Sequence, residues 1–472
     1  MKTKVALINP RWRTHKLYGF KFLGHGIFMP IGLASIAGYL DSKGIDVQLI
    51  DAEAEKLNNS EIADRVKKFK PDVVGVTCTT PTFPYALSLS TLLKKDLDVP
   101  IVFGGVHATL SPKDVLKNKE IDFVVMGEGE LTFYELANAI IGNNNFKDIK
   151  GLAFKDINGI HINEPREFIQ NLDDLPMPFY KGVPIKKYKP YAYQPTQSLP
   201  FMTLFSSRGC PFDCIFCETK VMCGKKVRTH SPERVISEIL YLKSEFGIRN
   251  FQFFDDTFTI NKKRVERICE LIKENNLDIS WNCLSRVDTV NADLLKKMNA
   301  AGCEMIAFGV ESGDNTILKN MRKGSTVEQA RDAFKAAREE NMIIRAFFMI
   351  GNPGETKETV QKTIHFAKVL DPEFVNFSIT TPFPNSELWD LYEKAGYIKN
   401  IGNLDFAMFH DSIIDMPGLS SEELRKFAKK SHIDFYLRPE YIVRRLREIK
   451  TFGQFKAKFL AGAGIVLDNL FS

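Results

Sequence analysis

Three cysteines, Cys210, Cys214 and Cys217, stand in a C-x3-C-x2-C run, Arg208-Gly-Cys-Pro-Phe-Asp-Cys-Ile-Phe-Cys217. Thiolates this close in sequence can converge on one soft metal centre, iron–sulfur or zinc. In a four-iron cluster, three cysteines leave one iron without a protein ligand, and an open iron can bind a substrate or a cofactor. A structural zinc site usually closes with a second Cys/His pair. Here Cys223 is the only nearby candidate for a fourth ligand, and no histidine is well spaced. Eight cysteines in 472 residues, with no secretion signal, argue against a disulfide framework. Cys78, Cys223, Cys269, Cys283 and Cys303 show no cluster spacing, so a single cluster is expected.

Other reactive residue types recur downstream at the ends of apolar runs. Asp255-Asp256 are paired carboxylates that could bind a ligand or cap the next helix. Arg286, in Ser285-Arg-Val-Asp288, can form a bidentate pair with a carboxylate. Gly309-Val-Glu311-Ser312-Gly313 combines an acceptor with glycines that permit close approach. Gly351-Asn-Pro353-Gly354-Glu355 is, on its own, a turn.

These residues need strands to carry them. Apolar runs at 201–205, 250–254, 279–282, 305–308, 343–350 and 374–379 alternate with helical patterns near 232–246, 262–275, 291–300, 326–340 and 356–368. Six β/α units over residues 200–382 predict a partial (β/α)6 barrel, whose catalytic groups belong on loops at the carboxyl ends of the strands. The cysteine run follows the first of these strands. Ser231-Pro232 reads as a helix start.

Residues 1–145 alternate in the same way, with apolar runs at 4–8, 45–50, 72–77, 100–103 and 122–126. Continuous apolar runs between amphipathic stretches indicate a parallel sheet covered on both faces. Five units predict a flavodoxin-like, Rossmann-type domain whose ligand lies at the strand ends. Those ends carry Asn9-Pro10, Thr77 to Thr80, Gly104-Gly105-Val-His107 and Gly127-Glu128-Gly-Glu130. Residues 146–199 read as a connector, with a hairpin at Asn158-Gly159 and a Pro-, Lys- and Tyr-rich stretch expected to lie extended on the surface. Residues 383–472 read as helical, with basic and apolar residues interleaved from Arg438 onward. That tail is either a helix docked on the barrel or a segment on an anionic membrane surface.

Composition excludes several classes. A hydrophobic fraction of 44% and a charged fraction of 26% are those of a soluble globular chain. A formal charge of +6 is too mild to imply nucleic acid. No apolar run reaches the ~20 residues of a spanning helix, and the strand-like 5–8 leave no room for a signal peptide.

The cysteine run, with Phe216 just before its last cysteine, resembles the signature of the radical S-adenosylmethionine (SAM) enzymes. In that family the open iron of a [4Fe-4S] cluster chelates SAM, which is cleaved reductively to a 5′-deoxyadenosyl radical. The flavodoxin-like domain ahead of the barrel resembles the cobalamin-dependent branch, and the two likenesses together cover about residues 1–382. The resemblance implies Cys210, Cys214 and Cys217 at the cluster. It implies Phe216, Asp256, Arg286, Glu311, Ser312 and Gly351 at SAM. It implies Asn9, Thr77, Thr79, Gly104, Gly105, His107, Gly127 and Glu128 at cobalamin. One departure matters: the D-x-H-x-x-G motif that supplies a histidine to cobalt is absent, since His15, His25 and His107 all lack the preceding aspartate.

The activity so implied is methylation of an unactivated carbon. One SAM methylates reduced cobalamin, a second yields the radical, and the substrate radical takes the methyl. The same cofactors also serve ring formation, ring contraction and carbon–carbon coupling, as in the anaerobic cyclase of bacteriochlorophyll synthesis. A cobalamin-binding sensor or carrier would not need the cysteine triad. The implied partners are a small-molecule substrate and an external electron donor such as ferredoxin or flavodoxin. The tyrosines of the linker (Tyr180, Tyr188, Tyr191, Tyr193) and the basic, apolar tail point to a large hydrophobic substrate such as a lipid or tetrapyrrole. The implied location is the cytoplasm, with peripheral contact to the inner face of the membrane through the tail.

Overall fold

The computed structural model describes residues 2–12, 26–142, 144–191, 200–399 and 412–447. Strands β1 (Lys4–Asn9), β2 (Asp46–Asp51), β3 (Val73–Thr77), β4 (Ile101–Gly104) and β5 (Phe123–Val125) pair in parallel, in the order β2-β1-β3-β4-β5. This is the flavodoxin-like order, with its switch point between β1 and β3. The hairpin β6 (Leu152–Asp156) and β7 (Gly159–Ile162) was expected in the connector. It instead extends this sheet antiparallel from β5.

The second sheet holds β8 (Phe201–Leu204), β11 (Asn250–Phe253), β12 (Ser280–Arg286), β13 (Cys303–Glu311), β14 (Ile343–Ile350) and β15 (Phe374–Ile379), all parallel and in chain order. Between β8 and β11 a two-residue ladder joins β9 (Ser207–Arg208) to β10 (Arg228–Thr229). Helices separate the strands, giving the partial barrel. Ser231, Asn261, Asn291, Thr326 and Thr356 each accept a backbone N–H three residues on, so five barrel helices start on side-chain caps. A cap of this kind stabilises its helix by about 1 kcal/mol and fixes the loop before it. Strands β12 and β13 run past the apolar stretches to Arg286 and Glu311, which stay in the ladder beside Gly309 and Phe348.

The two sheets share a core. Along β1, Val5 and Leu7 pack into a cluster continuous with the barrel, while Ala6 and Ile8 face the helices on the other side. The connector is not the surface linker its prolines suggest. Tyr180 and Tyr188 are buried, and their hydroxyls donate to Glu238 on the barrel and to Asp51 in the first domain. A buried phenol needs such a partner, so each tyrosine pins the connector to a different domain.

After β15 the chain is helical. Helix Ser421–Tyr436 lies along the open edge of the barrel, where the Tyr436 hydroxyl bonds both the N–H and the C=O of Val375 and His432 accepts from the Phe377 N–H. These side chains satisfy an exposed strand edge that would otherwise invite pairing. Helix Pro439–Arg447 docks through ion pairs of Arg438 and Arg444 to Asp371 and of Arg445 to Glu373. The rest of the basic tail, 448–472, lies outside the described residues. Among the described residues no helix is long and apolar enough to cross a membrane.

Candidate functional site

The cysteine loop leaves β8 at the carboxyl edge of the barrel and is folded back by the β9–β10 ladder. Gly209 has φ +92°, and a Cβ there would stand 2.5 Å from the Lys226 carbonyl, so only glycine fits between Arg208 and Cys210. The Cys210 N–H donates to Gly224 O at 3.2 Å, and that of Cys217 donates to Cys214 O at 3.2 Å. All three thiols are free. Burial pushes the Cys210 and Cys214 thiols up, and Lys323 and Arg286 draw Cys214 back. Among the described residues no three His, Cys, Asp or Glu side chains converge tightly enough for a single metal ion. Three free thiols on one loop, without a fourth ligand among the described residues and with Arg286 and Lys323 beside Cys214, suit an anionic cysteine-bound four-iron cluster better than a closed zinc site.

A charged network ties this loop to the next strand ends. Arg286 lies 3.8 Å from the Cys214 sulfur, stacks 3.5 Å from the Phe212 ring and donates to the Lys323 carbonyl at 2.6 Å. Its bidentate carboxylate is Asp288, two residues on, at 2.9 and 2.7 Å. The fork therefore closes within the protein. Glu311 pairs with the Lys323 ammonium at 2.9 Å, both buried. A Cβ on Gly309 would fall 2.4 Å from that carboxylate, so the glycine makes room for the pair. Ser312 and Gly313 face away, bonding Thr363. Gly351, at φ +93°, donates to Glu355, whose carboxyl burial raises to about 7. Phe216 is partly buried against the core. Asp255 is fully buried and accepts from Ser206 and Ser207, whereas Asp256 accepts from Thr219, which itself takes the Cys217 thiol at 3.3 Å.

Between the two carboxyl edges lies a cavity of about 550 Å³. From the first sheet Gly75, Thr77, Gly104, Gly105, Gly127 and Glu128 line it. From the barrel come Arg208, Thr219, Cys223, Arg234 and Asp256. It opens at the β1/β3 switch point, where ligands of this architecture sit. Glycine shapes it: a Cβ on Gly75 would stand 2.7 Å from Leu7, and one on Gly105 2.7 Å from the Cys78 carbonyl. Burial pushes the Cys223 thiol up to about 11. Of the residues expected at cobalamin, three lie elsewhere. Asn9 donates to Asp51, and the Thr79 N–H donates to the Thr82 hydroxyl. His107 is buried, bonded to Thr80 at 3.2 Å and packed 4.5 Å from the Phe83 ring. The glycine cradle and the buried Arg234 Nη1, which has no hydrogen-bond partner, fit a large ligand with oxygen acceptors on its rim, as cobalamin is.

The residues that join the two edges were not found from sequence. Arg208, two residues before Cys210, donates to Glu128 at 3.0 Å and to Glu130 at 2.7 Å, and Arg228 donates to both Glu128 oxygens. Burial alone would raise the Glu130 carboxyl, but Arg208 and Ser35 hold it below its ordinary range. Two glutamates after a glycine and an arginine before the cysteine were visible signals. Nothing local pairs residues 80 positions apart.

Residues 24–137 match the model of the B12 binding domain, and residues 204–367 that of the radical SAM superfamily. An uncharacterised methyltransferase of Pyrococcus horikoshii is 40% identical over 89% of this chain and 90% of its own. The anaerobic magnesium-protoporphyrin IX monomethyl ester cyclase of Rubrivivax gelatinosus is 27% identical over 93% and 78%. The radical S-adenosylmethionine methyltransferase TsrM from Kitasatospora setae, solved with cobalamin and a [4Fe-4S] cluster bound, shares the fold with a TM-score of 0.74. It is 16% identical, over 99% of this chain and 100% of that one. The chain belongs to the cobalamin-dependent radical SAM enzymes, whose cofactors are a [4Fe-4S] cluster, SAM and cobalamin.

Proposed function

We propose that this enzyme methylates an unactivated carbon of a small-molecule substrate. The observation that carries the reading is the single cavity between the two carboxyl edges, lined at once by the glycine cradle and by Thr219 and Asp256 of the cysteine loop's surroundings. When bound, the cluster with SAM supplies a hydrogen-abstracting radical and cobalamin a transferable methyl group. The protein's part is to align them in a dry chamber.

In this reading Cys210, Cys214 and Cys217 hold the cluster, and Arg286 and Lys323 offset its charge. Glu311 and Asp256 are the acceptors offered to SAM, with Phe216 alongside. The closed Arg286–Asp288 fork makes Arg286 a support for the cluster loop rather than a clamp for the methionyl carboxylate. Thr77, Gly104, Gly105, Gly127 and the backbone around Glu128 form the cobalamin cradle. A ferredoxin- or flavodoxin-type protein supplies the electrons.

The similarity to a methyltransferase at 40% identity favours methylation over cyclisation. The test is anaerobic reconstitution with a strong reductant and methyl-deuterated SAM, alongside comparative metabolite and lipid mass spectrometry of strains with and without the gene. A metabolite gaining one labelled methyl, with 5′-deoxyadenosine formed, supports the reading. Loss of hydrogen or gain of oxygen without label assigns the cyclase-type outcome.

We include a peripheral lipid contact in this reading. Ile442, Val443 and Leu446 are exposed, on the side of helix Pro439–Arg447 away from Tyr441 and Arg445. Unchanged sedimentation with anionic vesicles after Leu446→Glu would remove that contact.

A further inference from the structure

The barrel wall of the cavity carries a short polar row. His230, Arg234 and Glu238 all line it, at four-residue intervals that bring them to one side of helix Pro232–Phe246 and the turn before it. Two of the three are already held. Glu238 is buried and accepts from the Tyr180 hydroxyl. His230 is fixed by Asp173, 2.9 Å from its Nδ1. A proton on Nδ1 pointing at that carboxylate leaves Nε2 as an acceptor. Burial above all keeps this imidazole neutral, down to about pH 4, despite Asp173, and the nearby Arg234 charge acts in the same direction.

Arg234 is different. Its Nη1 is buried without a hydrogen-bond partner, and the nearest carboxylate oxygen, on Glu238, stands 3.7 Å away. That separation is beyond a good hydrogen bond. A buried donor left unmade pays its whole desolvation penalty. The wall contributed by Ile31, Leu33, Ile36, Leu175 and Pro178 is apolar, and among the described residues no side chain accepts from this nitrogen, which leaves it to what fills the cavity.

We propose that Arg234, with His230 beside it, is the barrel's anchor for a primary carboxamide on the rim of the bound cobalamin. The guanidinium donates to the amide carbonyl, and His230 Nε2 accepts from the amide nitrogen. Cobalamin's corrin ring bears acetamide and propionamide arms that offer this donor–acceptor pair. A phosphate or carboxylate in the same place would set an anion against the Nε2 lone pair. The inference rests on the cofactor assignment above. It adds a contact from the opposite domain, so that cobalamin is gripped from both sides of the chamber.

The experiment is an absorbance titration of cluster-loaded protein with hydroxocobalamin and, separately, with cobinamide, which keeps the amide arms but lacks the nucleotide and its phosphate. Wild-type uptake of cobalamin tests the cofactor assignment by itself. Arg234→Ala should weaken both ligands about 10- to 100-fold, the range of a hydrogen bond to a charged group. Arg234→Lys should fall between, and Arg249→Ala, at an exposed ion pair with Asp278 away from the cavity, should bind both within about threefold. Iron content and melting temperature check that each variant is folded, and Arg234→Lys carries the test if the alanine variant is not. Unchanged affinity in the Arg234 variants overturns the proposal. So does a loss confined to cobalamin, which would move the contact to the nucleotide phosphate.

Discussion

The carboxyl edge of the first sheet and that of the barrel face one cavity but are built from opposite materials. The first edge makes space by leaving side chains out. Gly75, Gly104, Gly105 and Gly127 line it, and its two carboxylates, Glu128 and Glu130, are already paired with Arg208 across the chamber. Around the cysteine loop, beside the cavity rather than on its wall, the barrel edge is crowded with charge: Arg286, Asp288, Glu311 and Lys323 are buried or nearly so and already paired to one another. A cradle of glycines suits a large, mostly neutral ligand. A preorganised set of fixed charges suits a small zwitterion beside an anionic cluster, because oriented charges in a water-poor site act strongly without reorganising. The difference supports the proposed division, cobalamin on the first edge and the cluster with SAM on the second.

The largest effect should come from breaking the barrel edge alone. Cys214→Ala removes a cluster ligand, so iron content and reductive SAM cleavage should collapse while cobalamin affinity stays within about threefold of wild type. Measured 5′-deoxyadenosine and a cobalamin titration on the same preparation check it. Simultaneous loss of both would show that the two edges do not assemble independently.

Next in size is the clamp between the edges. Arg208→Ala leaves Glu130 buried without its cation, an uncompensated charge that costs about 3–5 kcal/mol. Thermal melts at neutral pH should show the loss. The pH dependence follows from the sign of the shift. With Arg208 present, Glu130 titrates below its ordinary value of 4.5, so its contribution is complete above that value and fades only as the pH falls through the lower folded value. Without Arg208, burial is left to dominate and the shift reverses, so the folded variant takes up the Glu130 proton first and should regain part of its lost stability as the pH falls toward 4.5, where wild type only begins to lose its own. Melts across the acid range distinguish the two curves.

Much of this arrangement was legible before any coordinates. The parallel strands announce themselves as continuous apolar runs, and Ser231-Pro232 caps its helix as its composition says it should. The cysteine spacing points to the cluster without help from the fold. What escaped was long-range and polar. Strands β12 and β13 extend to Arg286 and Glu311 because neighbouring strands keep those residues in the ladder, and hydropathy cannot register a charged strand end. Tyr180 and Tyr188 looked like residues of an exposed linker because their partners, Glu238 and Asp51, lie 58 and 137 positions away. Glu128 lines the cavity, but the arginines that claim its carboxylate lie far off in sequence and escaped for the same reason.

A smaller perturbation tests whether the first edge works by vacancy. Gly105→Ala adds a Cβ 2.7 Å from the Cys78 carbonyl at a backbone φ of +93°, which should cost about 1–3 kcal/mol in strain. Cobalamin affinity should fall with it, and cluster content should not. A cobalamin titration and an iron assay of the same variant decide the matter. If SAM cleavage falls as far as cobalamin binding, the division of labour between the edges is wrong.

The smallest effect belongs to His107, the one histidine near the cradle's strand ends that sequence offered as a cobalamin contact. Its ring is buried against Phe83 and bonded to Thr80, and it does not line the cavity. Burial lowers its pKa from an ordinary 6.5 to about 4. The folded state therefore holds it neutral, and the unfolded chain takes up a proton first as the pH falls. Its contribution is intact above pH 6.5 and drains away toward pH 4. His107→Gln should cost about 0.5–1.5 kcal/mol at neutral pH, the worth of one buried hydrogen bond. It should also flatten the stability profile between those two pH values. The bound cobalamin spectrum should not change, because no imidazole leaves the cobalt. A spectral shift in the variant would place His107 at the cofactor after all, and the first edge would then grip by ligation as well as by room.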